Sequence, residues 1–313
     1  MRYFTTILAA LAVGTSAVPV PAQTTPSQPC PSTALKQTQS TVFGWQLAGS
    51  AANANDLDQT CSQLQSSKNQ QTTWSQLGLL TTSIETPVCN ALEPNAETAL
   101  VKLSAANTKV FTTLLTSSFD QTNKTTFSYL CDNIRYVQLD GFLLDSGTIT
   151  NATCQLGGAS LNPQPFTTIG GAQVNKTAVS EYNDAQSKLF AYTYAASATS
   201  SDQLETFCAN AAQPVRQGRF DALQLDGSCV KDTICSVKSP LSVDDAKAEF
   251  TKWTSTGFLA VIQSLTNQPG YSQWLCHNLD VEGMNGVGLD GKLVKSTVCM
   301  RAFPGEDGSG SWS

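Results

Sequence analysis

One histidine, ten cysteines and twenty-four carboxylates are the side chains of this sequence best suited to acid–base, nucleophilic or metal chemistry. A Ser-His-Asp or Cys-His relay would have to run through His277, because no second imidazole exists to carry the proton. No G-x-S-x-G elbow and no H-E-x-x-H pair occurs. No catalytic residue is assigned, and His277→Ala is expected to leave folding and binding unchanged. The run Gly286-Val287-Gly288-Leu289-Asp290-Gly291 matches G-x-G-x-x-G, but no helical pattern is evident after it, so it does not read as a phosphate loop. Leu-Asp-Gly occurs at Asp140, Asp226 and Asp290, where Asp-Gly favours a tight turn. Two such carboxylates roughly 5–9 Å apart could hydrolyse a glycoside, which makes a secreted carboxylate-dependent hydrolase the alternative function. Asp280 to Asp290 fails the spacing of an EF-hand loop. The cysteines contain no Cys-x-x-Cys pair, so neither a metal nor a cofactor is expected.

The cysteines do have a compartment. Met1-Arg2 and the uncharged apolar run from Phe4 to Val13 form a secretory signal, with cleavage after Ala17 or Ala22. A Pro-rich linker, 23–31, follows. Asn123, Asn151 and Asn175 each open an Asn-x-Thr sequon and are the expected glycosylation sites. No later segment is long and apolar enough to span a membrane. Charged residues are only 13% of the chain and the net charge is −6, a poor match for nucleic acid. A secreted, extracellular or cell-wall-associated protein is expected, with a cell-wall or host-surface component or a small apolar molecule as its partner.

The cysteine spacing also carries the organisation. At an offset of 147, Leu35 falls on Tyr182, Gln39-Ser40 on Gln186-Ser187, Phe43 on Phe190, Trp45 on Tyr192 and Cys61 on Cys208. Cys89 matches Cys235 at 146; Cys131 matches Cys276 and Cys154 matches Cys299 at 145. Phe111 meets Phe258. The chain therefore reads as two tandem disulfide-bonded helical modules, 32–156 and 178–300, joined by a Gly/Pro linker, 157–177, and ending in a polar tail, 301–313. Each module reads again as an internal pair, because Cys61, Cys131, Cys208 and Cys276 share a Cys-x-Asn/Gln pattern after a central phenylalanine. A duplicated fold duplicates its bonds, so Cys61–Cys89, Cys131–Cys154, Cys208–Cys235 and Cys276–Cys299 are expected. Cys30 and Cys229 have no repeat counterpart and are expected to bond to each other. The rivals are Cys229–Cys235 and Cys208–Cys229.

Periodicity supplies the elements. Ala96, Leu100, Leu103, Val110 and Leu114 lie on one helix face, and so do Ala246, Phe250, Trp253, Gly257, Val261 and Leu265. Ser242 with Asp245, and Asp202 with Glu205, sit where helices start. Tyr136 to Cys154 and Val287 to Cys299, rich in Val, Leu and Thr around Asp-Gly, read as short hairpins. The fold class is mainly α with small β-hairpins, and α+β is the alternative. Each unit reads as long helix, short cysteine helix, irregular loop. The second half is the more aromatic. Tyr182, Phe190, Tyr194, Phe250, Trp253 and Phe258 are candidate walls for an apolar ligand, with a filled core as the competing use. A non-enzymatic binding protein is the function these residues favour.

Overall fold

A computed structural model describes residues 31–158 and 174–304. The expected signal, the Pro-rich stretch, Cys30, residues 159–173 of the expected Gly/Pro linker and most of the tail lie outside the described residues. Within them the chain forms sixteen helices and no strand: α1 Pro31–Ser50, α2 Ala54–Ser66, α3 Lys68–Gln76, α4 Thr81–Cys89, α5 Ala96–Ser117, α6 Lys124–Asn133, α7 Tyr136–Gly141, α8 Ser146–Gly157, α9 Lys176–Ala195, α10 Ser201–Ala211, α11 Pro214–Ala222, α12 Gly227–Ser236, α13 Val243–Ile262, α14 Tyr271–Asn278, α15 Val281–Gly286 and α16 Gly291–Ala302. One long helix followed by three short ones occurs four times in that order.

Local chemistry sets the boundaries. Asn95, Asn123, Asn175, Ser200 and Ser242 accept the N–H three residues on, each closing a helix N-terminus; such a cap contributes about 1 kcal/mol. The third helix of each unit ends on a left-handed residue: Gly78, Leu143, Gln224 and Gly288, with φ of 81°, 55°, 59° and 82°. The next N–H reaches back five residues, from Leu79 to Trp74, Leu144 to Leu139, Leu225 to Phe220 and Leu289 to Met284, a Schellman-type closure. The fourth helix is then fixed to the first by a buried hydroxyl. Ser40, Thr108, Ser187 and Ser255 accept from the backbone N–H of Leu80, Asp145, Asp226 and Asp290 at 2.7, 2.8, 2.8 and 2.8 Å. A disulfide joins the second helix of each unit to the fourth: Cys61–Cys89, Cys131–Cys154, Cys208–Cys235 and Cys276–Cys299. Loops of this length stabilise by about 3 kcal/mol each in the chain-entropy model.

The long helices pair antiparallel, α1 with α5 and α9 with α13. Each reaches two hydrophobic cores. One core takes its residues from α1–α5 and α9–α13, including Phe43, Trp74, Phe190 and Phe220. The other gathers the C-terminal part of α5, α6–α8, the C-terminal part of α13 and α14–α16, and also takes Leu35 from α1 and Tyr182 from α9. Contacts across the halves come in matched pairs. Phe43 meets Phe190 at 5.6 Å and Phe111 meets Phe258 at 5.8 Å between ring centroids. Arg135 N donates to Leu265 O at 2.7 Å, and its counterpart Asp280 N donates to Ser118 O at 2.9 Å. Arg216 of α11, 9% exposed, also pairs with Asp56 of α2.

Three expectations change. The hairpins at Tyr136–Cys154 and Val287–Cys299 are helices α7, α8 and α16 with the turns between them. In α8 the buried residues Ile149, Thr150, Thr153 and Cys154 recur with helical spacing, and Thr153 returns its hydroxyl to Ile149 O and Thr150 O. Packing against α6 outweighs the β preference of Thr and Ile. The irregular loops after the cysteine helices hold two further helices per unit. Finally, Asp226 and Asp290 are helix N-caps rather than hairpin turn residues, accepting from Cys229 N and Leu293 N at 2.9 Å, while Asp140 lies inside α7.

Candidate functional site

Midway along the long helices, where the two cores meet, lies a cavity of about 60 Å³. Its walls come from both halves. Phe43 and Phe111 face it from α1 and α5, and Tyr182, Phe190, Phe250 and Phe258 from α9 and α13. Four of the six aromatic candidates therefore converge. The other two do not. Tyr194 stacks on Phe207 at 4.2 Å in the core. Trp253 turns outward, donating its Nε1 to Glu249 at 2.7 Å with Lys188 and Lys252 over its ring at 4.4 and 4.7 Å.

Polar groups in this wall were not singled out from the sequence. Gln39, Gln46, Asn107 and Gln186 present amides to the cavity. Gln46 is 5% exposed, and its side chain makes no hydrogen bond among the described residues. Tyr182 lies beside them, and burial holds its hydroxyl well above the usual tyrosine pKa. Its phenol is therefore neutral at physiological pH. The remaining wall is apolar apart from Thr193 and Thr254, whose hydroxyls donate to Leu189 O and Phe250 O within their own helices, so the cavity is amphipathic without being charged. Gln39 and Phe250, both half-buried, also face a surface depression of about 280 Å³ beside Lys36 and Lys247. They stand between the cavity and solvent.

Gly257 completes the wall. It sits inside the 20-residue α13, five residues from its C-terminal end, where glycine costs a helix about 1 kcal/mol relative to alanine. A Cβ there would point at Gln186 Nε2 at 3.3 Å and Ala185 Cβ at 3.7 Å. The position 147 residues earlier is Val110, which also lines the cavity. The two sides of the cavity thus match at Phe43 and Phe190, Phe111 and Phe258, and Gln39 and Gln186, and differ where Thr193 and Thr254 replace Gln46 and Asn107 and where α13 lacks a side chain.

The other candidates lie elsewhere. His277 is exposed, its ring edge-on to Phe303 at 6.0 Å. A helix does follow the G-x-G-x-x-G run, but α15 precedes it instead of a strand. Gly286 ends α15, Gly288 supplies the left-handed cap, and Gly291 opens α16. No three His, Cys, Asp or Glu side chains among the described residues are placed to hold a metal ion. Asn123, Asn151 and Asn175 are exposed. Cys235 is bonded to Cys208, which excludes both rival pairings of Cys229. Cys229 carries a thiol that donates to Asp184 at 3.3 Å; burial, then the carboxylate, push its pKa up to about 11, so it is a poor nucleophile at neutral pH. Its expected partner Cys30 lies outside the described residues. No described helix is long and apolar enough to cross a membrane. The chain matches no protein-family model, no curated protein and no solved structure.

Proposed function

We propose that this chain is an exported, N-glycosylated binding protein, made of two copies of one eight-helix module, that holds an apolar ligand bearing a neutral polar group between its four long helices. The observation that carries it is the uncharged cavity on which six aromatic rings converge and to which Gly257 adds no side chain. An apolar body would rest against the phenylalanines while Gln46, Asn107 and Gln186 bond its polar end. The present volume suits a small group, since about 30 Å³ is one water's share of the liquid. A larger ligand enters by rotation of Phe250 and Gln39. Four disulfides and exposed sequons at Asn123, Asn151 and Asn175 support export. In Asn123 and Asn175 the capping atom is Oδ1, which leaves Nδ2 for a sugar. The hydrolase reading loses support because Asp226 and Asp290 are engaged as caps.

The test is calorimetry with neutral alcohols graded from cyclohexanol to dodecanol. Saturable binding is expected, tightening with apolar length until the cavity is filled, and lost in Gly257→Val. Absence of saturable binding across the series, or equal binding by Gly257→Val, would overturn the assignment.

A further inference from the structure

The first half of the chain carries a second, larger concavity. It is an open groove of about 610 Å³ between α1, α4 and the connection from α4 to α5, within the roughly 300–1,000 Å³ usual for small-molecule sites. Trp45 lines it, half-buried, with part of its indole packed on the core. Gln37, Ser83 and Asn90 offer one hydroxyl and two amides, and Leu92 and Glu93 stand at the rim, Leu92 being 92% exposed. The side chains of Gln37, Ser83, Asn90 and Glu93 make no hydrogen bond to a described residue.

The chemistry of this lining selects among ligands. A wholly apolar molecule would cover the amides without satisfying them, leaving each desolvated group unpaired. An anion would find no lysine or arginine in the wall, and would meet Glu93 on a chain of net charge −6. A cation would find that one exposed carboxylate and no other. A sugar ring has an apolar C–H face and a rim of neutral hydroxyls, which matches an indole flanked by amides, a hydroxyl and one acceptor carboxylate. We infer that the groove binds a neutral carbohydrate, with Trp45 stacked on the C–H face of one ring and Gln37, Ser83, Asn90 and Glu93 bonded to its hydroxyls.

The other half supplies a contrast. The positions 147 residues after Gln37, Thr41 and Trp45 are Asp184, Lys188 and Tyr192. There Lys188 pairs with Asp184 at 2.9 Å and covers Trp253, so these groups are spent on one another. Their counterparts in the first half face the groove instead.

Calorimetric titration of the full chain with cellohexaose, laminarihexaose and hexa-N-acetylchitohexaose tests the inference, with hexagalacturonate as the charged comparison. Saturable binding of at least one neutral hexasaccharide is expected. Trp45→Ala should weaken it by about tenfold or more. Because Trp45 also touches the core, the double variant Gln37→Ala/Asn90→Ala, at two exposed positions, provides a second reading and should weaken the same sugar at least severalfold. Gly257→Val, remote from the groove, should leave sugar binding unchanged whatever it does to alcohols. No saturable binding of any neutral hexasaccharide at about 10 mM, equal affinity in the double variant, or hexagalacturonate binding as tightly as the neutral sugars would each overturn it.

Discussion

Gly257→Ala separates a cavity kept open from a gap left by imperfect packing. The substitution removes a helix-interior glycine from α13, worth about 1 kcal/mol in helix propensity. It also buries one methyl against Ala185 and Tyr182, whose atoms lie 3.7 and 3.8 Å from the new Cβ, a further gain of up to about 0.8 kcal/mol. Against this stands the 3.3 Å approach to Gln186 Nε2, the free end of a side chain that forms no other bond among the described residues and can rotate away. The net expectation is stabilisation by about 1 kcal/mol, which for a chain of this size raises the melting temperature by about 2–4 °C. Scanning calorimetry with the disulfides intact measures it. Affinity for the neutral alcohols should fall in the same variant, because the methyl occupies the space and displaces Gln186. Stabilisation with unchanged alcohol affinity would mean that the gap has no binding role. Destabilisation would mean that Gln186 cannot move, and the packing argument would fail.

Other positions test the architecture. Gln224 is exposed and holds φ near 59° at the same cap where two other units place glycine; Gln224→Gly should stabilise by about 1 kcal/mol, read from the denaturation midpoint. Thr108→Val keeps the shape but removes the acceptor for Asp145 N, and leaving that N–H unpaired should cost about 1–3 kcal/mol. Unfolding titrations should show this loss without a change in slope. Tyr182 and Tyr271 have pKa values raised by burial, so the unfolded chain releases their protons first as pH rises. Their contribution is fully present below the ordinary tyrosine value near 10 and is lost above it. Stability measured from pH 8 to 12 should fall on the alkaline side, and a flat profile would contradict the burial of both phenols.

The cysteines made much of the fold legible, because four of them recur at offsets of 145 to 147 and the bonds join neighbours in every unit. The cap at Ser242 was equally plain, since a hydroxyl three residues before an acid has a local use. The short helices were hidden for a physical reason. Thr148 to Thr153 and Val294 to Val298 are rich in residues that favour strands, and only their burial at helical spacing, set by α6 and α14, decides otherwise. The third-helix cap was obscured because two of its four left-handed positions are Leu143 and Gln224 rather than glycine. In the site, the aromatic wall was recognisable and the amides were not. Gln39 and Gln186 aligned in the repeat, but a polar residue in a mostly polar chain carries no signal of facing inward. Trp253 shows the opposite error. It has the spacing of the buried face, yet Glu249 one turn earlier offers its N–H a partner at the surface.

The place of the cavity follows from helix length. A helix of twenty residues is about 30 Å long, whereas the short helices that must cover it have 6 to 13 residues. One unit therefore backs only about half of its own long helix. Antiparallel pairing of α1 with α5 sends their satellites to opposite ends, and α9 with α13 does the same. Each end then closes with satellites from both halves, which is why the cores mix residues from before 158 and after 174. At mid-length the four long helices reach beyond most of their satellites and must cover one another. Matched residues meet there, Phe43 with Phe190 and Phe111 with Phe258, and space remains wherever a pair does not fill its share, as at Val110 and Gly257. A polar side chain is tolerable at that level because it lies at the junction of the two cores, and this is where Gln39, Gln46, Asn107 and Gln186 are found. An amphipathic cavity at the centre is therefore a product of joining four units through helices longer than the units themselves, and its walls belong to both cores, Phe43 and Phe190 to one and Phe111 and Phe258 to the other.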